Sequence, residues 1–263
     1  MKIIRFTETG QTEPRYGILD EADVVELAGD PLVDGYGTTG RRLPLGQVRL
    51  LAPIIPRSKI VGVGRNYAAH AQEKGNALPD HPLLFFKPNT AVVGPHAPIL
   101  IPEAVQEVEL EAELAVVIGH LAKNVPAARW ADYVLGYTVG NDVSSRAYQR
   151  GDGQWARAKG LDTFCPIGPC IETDLDPSAL QVTSQINGTP AQNGNTADFL
   201  FPLPQLIETI TAAFTLLPGD IILTGTPAGV APIRPGDTVA CSVEGIGTLV
   251  NPVSAASAPA SVA

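Results

Sequence analysis

Short apolar runs, separated by turns rich in glycine and proline, dominate the chain, and few of them have helical spacing. Residues 2–6, 16–19 and 24–27 read as β-strands, with turn segments at 7–11 and 34–37. They predict a small all-β appendage over residues 1–52. A proline-marked stretch, Ala52-Pro-Ile-Ile-Pro56, leads to the buried strand 59–64, which opens a main domain expected over 53–252. Within it, helices are expected at 67–73, 127–134 and 203–211. Strands are expected at 83–87, 114–118, 137–139, 181–186 and 220–223, with a closing pair at 238–243 and 247–250. Asn187-Gly188 is a hairpin dipeptide, because both residues tolerate positive φ. The fold class is therefore mostly β with some α, without βαβ alternation and without internal repeats. Residues 253–263, built from Ser, Ala, Pro and Val alone, are expected to be a disordered tail.

One stretch combines pattern with chemistry. Glu107, Glu109, Glu111 and Glu113 occupy alternate positions and run into the apolar segment Leu114-Ala-Val-Val-Ile-Gly119. On a strand, alternation places the four carboxylates on one face and Val108, Leu110, Ala112 and Leu114 on the other. Water over an acidic face accounts for Glu107 and Glu109. Glu111 and Glu113 sit where the strand enters the interior, and buried carboxylates need a positive partner. A divalent cation bound through oxygen, Mg²⁺, Mn²⁺ or Ca²⁺ rather than Zn²⁺, meets that need.

With 263 residues, 44% of them hydrophobic, the chain can bury a substantial core. No apolar stretch reaches the roughly 18 residues of a membrane span, and the start lacks a signal-peptide core, so no membrane partner and a cytoplasmic location are expected. Cys165, Cys170 and Cys241 have no CxxC spacing and read as reduced core residues. A net charge of -9 argues against nucleic acid. Arg146, Arg150, Arg157 and Lys159 nonetheless cluster around the single acid Asp152, a local basic patch suited to a small anion or simply to solvent.

Several residues fit around such an ion. Asp142, in Gly140-Asn-Asp-Val-Ser-Ser-Arg146, reads either as a helix N-cap or as a third carboxylate beside Glu111 and Glu113. Three acids and a divalent ion sum to about minus one, which Lys159 neutralises unless it is a surface residue paired with Asp162. His70 and Glu73, three apart on a helix, make either a general base for water or a solvated pair. No histidine spacing matches a zinc motif. Gly62-Val-Gly64 fails as a dinucleotide loop because position 67 is Tyr. The segment 224–230 can offer backbone N–H groups and the Thr226 hydroxyl to a carboxylate, or be a tight turn.

In order, Gly64-Arg-Asn-Tyr-Ala-Ala-His70 with Glu73, Phe85-Phe-Lys-Pro88, Glu111-Ala-Glu-Leu-Ala-Val-Val-Ile-Gly119, Gly136-Tyr-Thr-Val-Gly-Asn-Asp-Val-Ser-Ser-Arg146, Lys159-Gly-Leu-Asp-Thr-Phe-Cys-Pro166, Asn187-Gly188 and Pro218-Gly-Asp-Ile-Ile-Leu-Thr-Gly-Thr-Pro227 resemble the fumarylacetoacetate hydrolase family over about residues 56–252. The resemblance implies a mixed β-roll catalytic domain, bound Mg²⁺ or Mn²⁺, and a homodimer. It makes Glu111, Glu113 and Asp142 metal ligands and places Lys159 against the substrate's developing enolate. It gives Arg146, Gln149 and Thr226 to substrate binding and His70 with Glu73 to water activation. Ala147 departs from it, since relatives often carry Asp there. The short first segment resembles that of the smaller bacterial members.

The implied substrate is a small anionic 2-oxo or 2-hydroxy-enol carboxylate, reacting through a metal-stabilised enolate. The expected reaction is of the 2-hydroxyhepta-2,4-diene-1,7-dioate isomerase type, in aromatic catabolism. Acylpyruvate hydrolysis and oxaloacetate decarboxylation are the alternatives within the family, and a non-catalytic metal- or ligand-binding module is the alternative outside it.

Overall fold

The computed structural model describes residues 1–256. Strands β1 (Lys2–Glu8), β2 (Arg15–Asp20), β3 (Asp23–Leu27) and β4 (Thr38–Pro44) form an antiparallel meander, with β5 (Val48–Leu50) laid along β1. The sequence pattern misses β4 because its residues face solvent almost throughout. It ends the sheet, and Arg41 and Arg42 give it the charged side chains typical of an edge.

The main body follows with β6 (Ile60–Gly64), α1 (Ala68–Glu73), β7 (Leu83–Lys87), β8 (Val92–Val93), β9 (Ile99–Ile101), β10 (Val108–Leu110) and β11 (Ala112–Ile118). A 3-10 run at Ala127–Tyr133 takes the place of the expected short helix. Then come β12 (Val134–Asn141), β13 (Ser144–Ser145), α2 (Arg146–Gly151), α3 (Ala156–Lys159) and β14 (Cys165–Glu172). The hairpin β15 (Gln181–Ile186) and β16 (Thr189–Asn195) turns at Asn187 and Gly188, whose φ values are 52° and 79°. Helix α4 (Leu203–Ala213) and strands β17 (Ile221–Leu223), β18 (Ala231–Pro232), β19 (Thr238–Val243) and β20 (Gly247–Ala255) complete the chain.

The largest sheet runs β4-β3-β2-β1-β14-β12-β11-β17-β6-β7. The N-terminal strands therefore continue the main sheet: β1 pairs with β14 through Lys2 opposite Glu172 and Ile3 opposite Ile171. A second sheet runs β16-β15-β19-β20-β9, and a small one β13-β10-β18. The expected tail begins later than residue 253, because Val253, Ser254 and Ala255 pair in parallel with Ile99, Leu100 and Ile101. The rest of that tail, residues 257–263, lies outside the described residues.

Strand β11 is buried along its whole length. Leu114, Val116 and Ile118 join one apolar core, while Ala115 and Val117 join another. A strand covered on both faces explains why the sequence there stops alternating. Each of the Leu, Val and Ile side chains contributes about 1.5–3 kcal/mol on burial, which fixes β11 as a rigid base for what it carries.

Candidate active site

The glutamate run crosses between sheets at Glu111. Its N–H donates to Asn141 Oδ1 at 3.0 Å, and the Ala112 N–H donates to Gln192 Oε1 at 2.9 Å. Two buried amide side chains thus replace the backbone ladder where β10 leaves and β11 begins. Glu107 lies before β10 in a left-handed conformation, φ 52°, and pairs with Arg150 at the surface. Glu109 departs from the expectation of a solvated carboxylate. It is half-buried beneath Lys74 at 2.8 Å and Arg146 Nε at 2.6 Å.

Glu111, Glu113 and Asp142 are each at most 3% exposed. One carboxylate oxygen from each lies within 4.8 Å of the others. Asp142 is placed by the end of β12, and its N–H donates to the Glu111 carbonyl at 2.9 Å. It caps no helix; Ser145 performs that role for α2. Burial and the neighbouring Asp142 and Glu111 charges push the Glu113 carboxyl well above the ordinary carboxylate range. Its protein donor is the Gly225 N–H, at 2.7 Å.

Lys159 is no surface residue. It is 3% exposed and reaches back to Glu111 Oε2 at 2.6 Å and Asp142 Oδ2 at 2.5 Å, not to Asp162. Burial pulls its ammonium down, but Asp142 and Glu111 outweigh that and hold it above the usual lysine value. For Glu111, burial raises the carboxyl while Arg146 and Lys159 keep it well below the usual range. Lys87, at the end of β7, is 1% exposed and donates to Asp142 Oδ1 at 2.5 Å. The sequence gives little warning of it, since a lysine ending an apolar strand normally marks an exit to solvent. The simple charge sum of three acids, one ion and one lysine therefore omits two buried cations, Lys87 and Arg146.

Arg146 opens α2 and spends its guanidinium on Glu109, on Glu111, and on Gln149 Oε1 at 2.7 Å. Accepting there leaves the Gln149 amide N–H groups free to donate elsewhere. His70 lies in α1, buried, with Nε2 3.9 Å from Glu111 Oε1 and Nδ1 3.5 Å from Glu73 Oε2. Nδ1 makes no hydrogen bond, and Glu73 instead accepts the Gly229 N–H at 3.2 Å. Burial, reinforced by Arg146 and Lys159, holds the imidazole below its ordinary pKa. It is a neutral base at pH 7.

Thr226 Oγ1 donates to the Ala112 carbonyl at 2.8 Å and accepts from Gln192 Nε2 at 2.6 Å. Gln192 thus ties the loop 224–230 to the start of β11. A cavity of about 450 Å³ brings these groups together. Its lining includes His70, Glu111, Glu113, Asp142, Arg146, Gln149, Lys159 and Thr226, all singled out by the sequence. Glu73 stands behind His70 rather than on the wall. The donor set is carboxylate oxygen throughout, which fits Mg²⁺ or Mn²⁺ and not a thiolate-seeking metal.

The chain belongs to the fumarylacetoacetate hydrolase family. The model described as "Fumarylacetoacetate (FAA) hydrolase C-terminal" matches residues 59–254, and "Rv2993c-like, N-terminal" matches residues 1–53. It is 54% identical over 234 residues to Protein Rv2993c of Mycobacterium tuberculosis, covering 87% of this chain and 86% of that one. It is 40% identical over 222 residues to the mitochondrial oxaloacetate tautomerase Fahd2a of Rattus norvegicus, covering 80% and 71%. Among solved structures, a 2-hydroxyhepta-2,4-diene-1,7-dioate isomerase from Mycobacterium marinum superposes with TM-score 0.89 at 46% identity, over 98% and 100% of the two chains. A maleylpyruvate hydrolase from Sphingobium sp. SYK-6, in complex with manganese(II) and pyruvate, superposes with TM-score 0.80 at 31% identity, over 98% and 100%. These neighbours, an isomerase, a hydrolase and a tautomerase, support an enzymatic role. No helix among the described residues is long and apolar enough to cross a membrane.

Proposed function

We propose that this protein is a Mg²⁺- or Mn²⁺-dependent enzyme that moves protons on a small 2-oxo or 2-hydroxy-enol carboxylate. The reaction is of the 2-hydroxyhepta-2,4-diene-1,7-dioate isomerase type, in the cytoplasmic catabolism of aromatic compounds, by a homodimer. The observation that carries the reading is the convergence of Glu111, Glu113 and Asp142 within 4.8 Å, with the Lys159 ammonium on two of them.

Glu111, Glu113 and Asp142 would hold the cation, which supplies Lewis-acid stabilisation of negative charge on a chelating 2-oxo acid. Lys159, kept charged by Asp142 and Glu111, directs its ammonium at the same place and stabilises an enolate oxygen by hydrogen bonding. His70 is the neutral base that takes a proton from the substrate carbon or from water, and Glu73 stabilises the imidazolium that results. Gln149 donates its free amide N–H groups to the substrate carboxylate. Thr226 joins it once its hydroxyl exchanges the Ala112 carbonyl for substrate.

The 40% identical tautomerase favours a second reading, keto–enol tautomerisation of a 2-oxo dicarboxylate by the same groups. Hydrolysis of acylpyruvates and decarboxylation of oxaloacetate need the same enolate but a different fate for it. A panel of the hydroxy-dienedioate, oxaloacetate and acylpyruvates, assayed with and without Mg²⁺ or Mn²⁺, decides among them. Metal-dependent isomerisation of the dienedioate is the expected outcome. No turnover of any member points instead to a binding module.

A further inference from the structure

The cavity wall carries Arg65, Lys74, Arg146, Arg150 and Lys159. Four of these cations are already committed to carboxylates: Lys74 to Glu109, Arg146 to Glu109 and Glu111, Arg150 to Glu107, and Lys159 to Glu111 and Asp142. Arg65 is different. It is half-buried and makes no ion pair or side-chain hydrogen bond among the described residues.

Its backbone is unusual as well. Arg65 has φ 60°, the left-handed region, which costs a residue with a Cβ about 1–2 kcal/mol. The conformation is imposed from both sides. Gly64 ends β6 against Trp155, where a Cβ would come within 2.8 Å of the indole. Asn66 is buried and pinned by three side-chain bonds: it donates to the Phe201 and Thr224 carbonyls and accepts the Phe201 N–H. Gly or Asn would hold this turn with less strain. Backbone strain of this kind clusters at functional sites, and here it sets a long charged side chain on a cavity wall.

The wall also carries an apolar stretch that a carbon chain could lie against. Val63, Phe85 and Trp155 line it, the two rings packing edge to face with centroids 5.5 Å apart. We propose that Arg65 binds a second acidic group of the substrate, so that the site selects 2-oxo dicarboxylates over 2-oxo monocarboxylates. This rests on the proposed 2-oxo acid chemistry, in which the cation that Glu111, Glu113 and Asp142 would hold, with the Gln149 amide, would take the substrate's first carboxylate and keto group. A guanidinium suits the task because it presents paired N–H donors to a carboxylate and stays charged at any working pH.

The test is binding calorimetry on the full chain with saturating Mg²⁺. The probes are oxalate, the straight-chain dicarboxylates 2-oxoglutarate, 2-oxoadipate and 2-oxopimelate, and the monocarboxylates of the same lengths. Arg65→Asn keeps a residue that tolerates positive φ and removes the charge; Arg65→Lys keeps the charge. Wild type is expected to bind the best dicarboxylate at least about tenfold more tightly than its monocarboxylate counterpart, since a charged hydrogen bond separates them. Arg65→Asn is expected to erase that preference while changing oxalate and monocarboxylate affinity less than about twofold. Arg65→Lys should recover part of it. Equal binding of mono- and dicarboxylates by wild type, or a preference that survives Arg65→Asn, overturns the role of Arg65 while the 2-oxo acid reading stands. Failure of every probe, oxalate included, overturns the 2-oxo acid reading and the role of Arg65 with it.

Discussion

Lys159 donates its ammonium to Asp142 Oδ2 at 2.5 Å from a position 3% exposed to solvent, although it ends α3, 17 positions along the chain and beyond the whole of α2. Each charge answers for the burial of the other, and Glu111 shares the arrangement at 2.6 Å. Breaking one side of a buried pair typically costs about 3–5 kcal/mol. Lys159→Met should therefore lose stability in thermal unfolding with chelator present. Mg²⁺ or Mn²⁺ should raise the midpoint of the variant more than that of the wild type, because the ion supplies the missing positive charge. With metal, turnover should fall by about 10²–10³. Equal metal-induced shifts in both proteins would show that Lys159 and the ion do not act on the same carboxylates.

In the proposed role of general base, His70 would set the acid side of the rate profile. Burial, with Arg146 and Lys159, lowers its pKa, while Glu111 and Glu73 pull it up. With the neutral ring as the proposed base, kcat/KM should stay level as pH falls past about 6.5 and decline only below it. Glu73→Gln removes one of the raising charges, so the limb should move to still lower pH. His70→Asn should remove the limb and cost about 10²–10⁴ in kcat. A limb that moves upward in Glu73→Gln contradicts this assignment.

Much of this site was legible in the sequence because alternation and the change to an apolar run at Leu114 report strand burial directly. That reading set Glu111 and Glu113 in the interior, where the structure buries them, while Asp142 stayed open between a helix N-cap and a third carboxylate until the family resemblance favoured the latter. It failed where burial depends on elements distant in sequence. Glu109 lies on the same strand rhythm as Glu107, yet Lys74 from the segment after α1 and Arg146 from α2 cover it. Lys87 looked like the end of a strand, and only Asp142, far along the chain, makes its burial tolerable. Asn141 and Gln192 left no pattern at all, because their task is to receive two backbone N–H groups that a strand break would otherwise orphan. The N-terminal strands were read individually, but their registration on β14 through β1 is a pairing no local pattern encodes.

Away from the cavity, Asp220 offers a test of the frame. It is fully buried and accepts bonds from the Ser58 N–H and hydroxyl, the Lys59 N–H and ammonium, and the Leu217 N–H. Burial raises its carboxyl, but those donors prevail and hold it below the ordinary aspartate value. A depressed folded-state pKa means the stabilisation is present above the unfolded value of about 3.9 and is lost as pH falls through the folded one. Asp220→Asn should lower unfolding free energy at pH 7 by about 2–4 kcal/mol in denaturant titration. The gap from wild type should narrow in acid. A constant gap between neutral and strongly acidic pH would contradict the charge-based account.

The shared use of Glu111, Glu113 and Asp142 by one divalent ion is tested most directly by Mn²⁺ titration of the metal-stripped protein, following free Mn²⁺ by electron paramagnetic resonance. Wild type should take up a single ion per chain, and Asp142→Asn should bind it at least about 100-fold more weakly. Uptake that is unchanged in Asp142→Asn, or absent in wild type, would contradict the account.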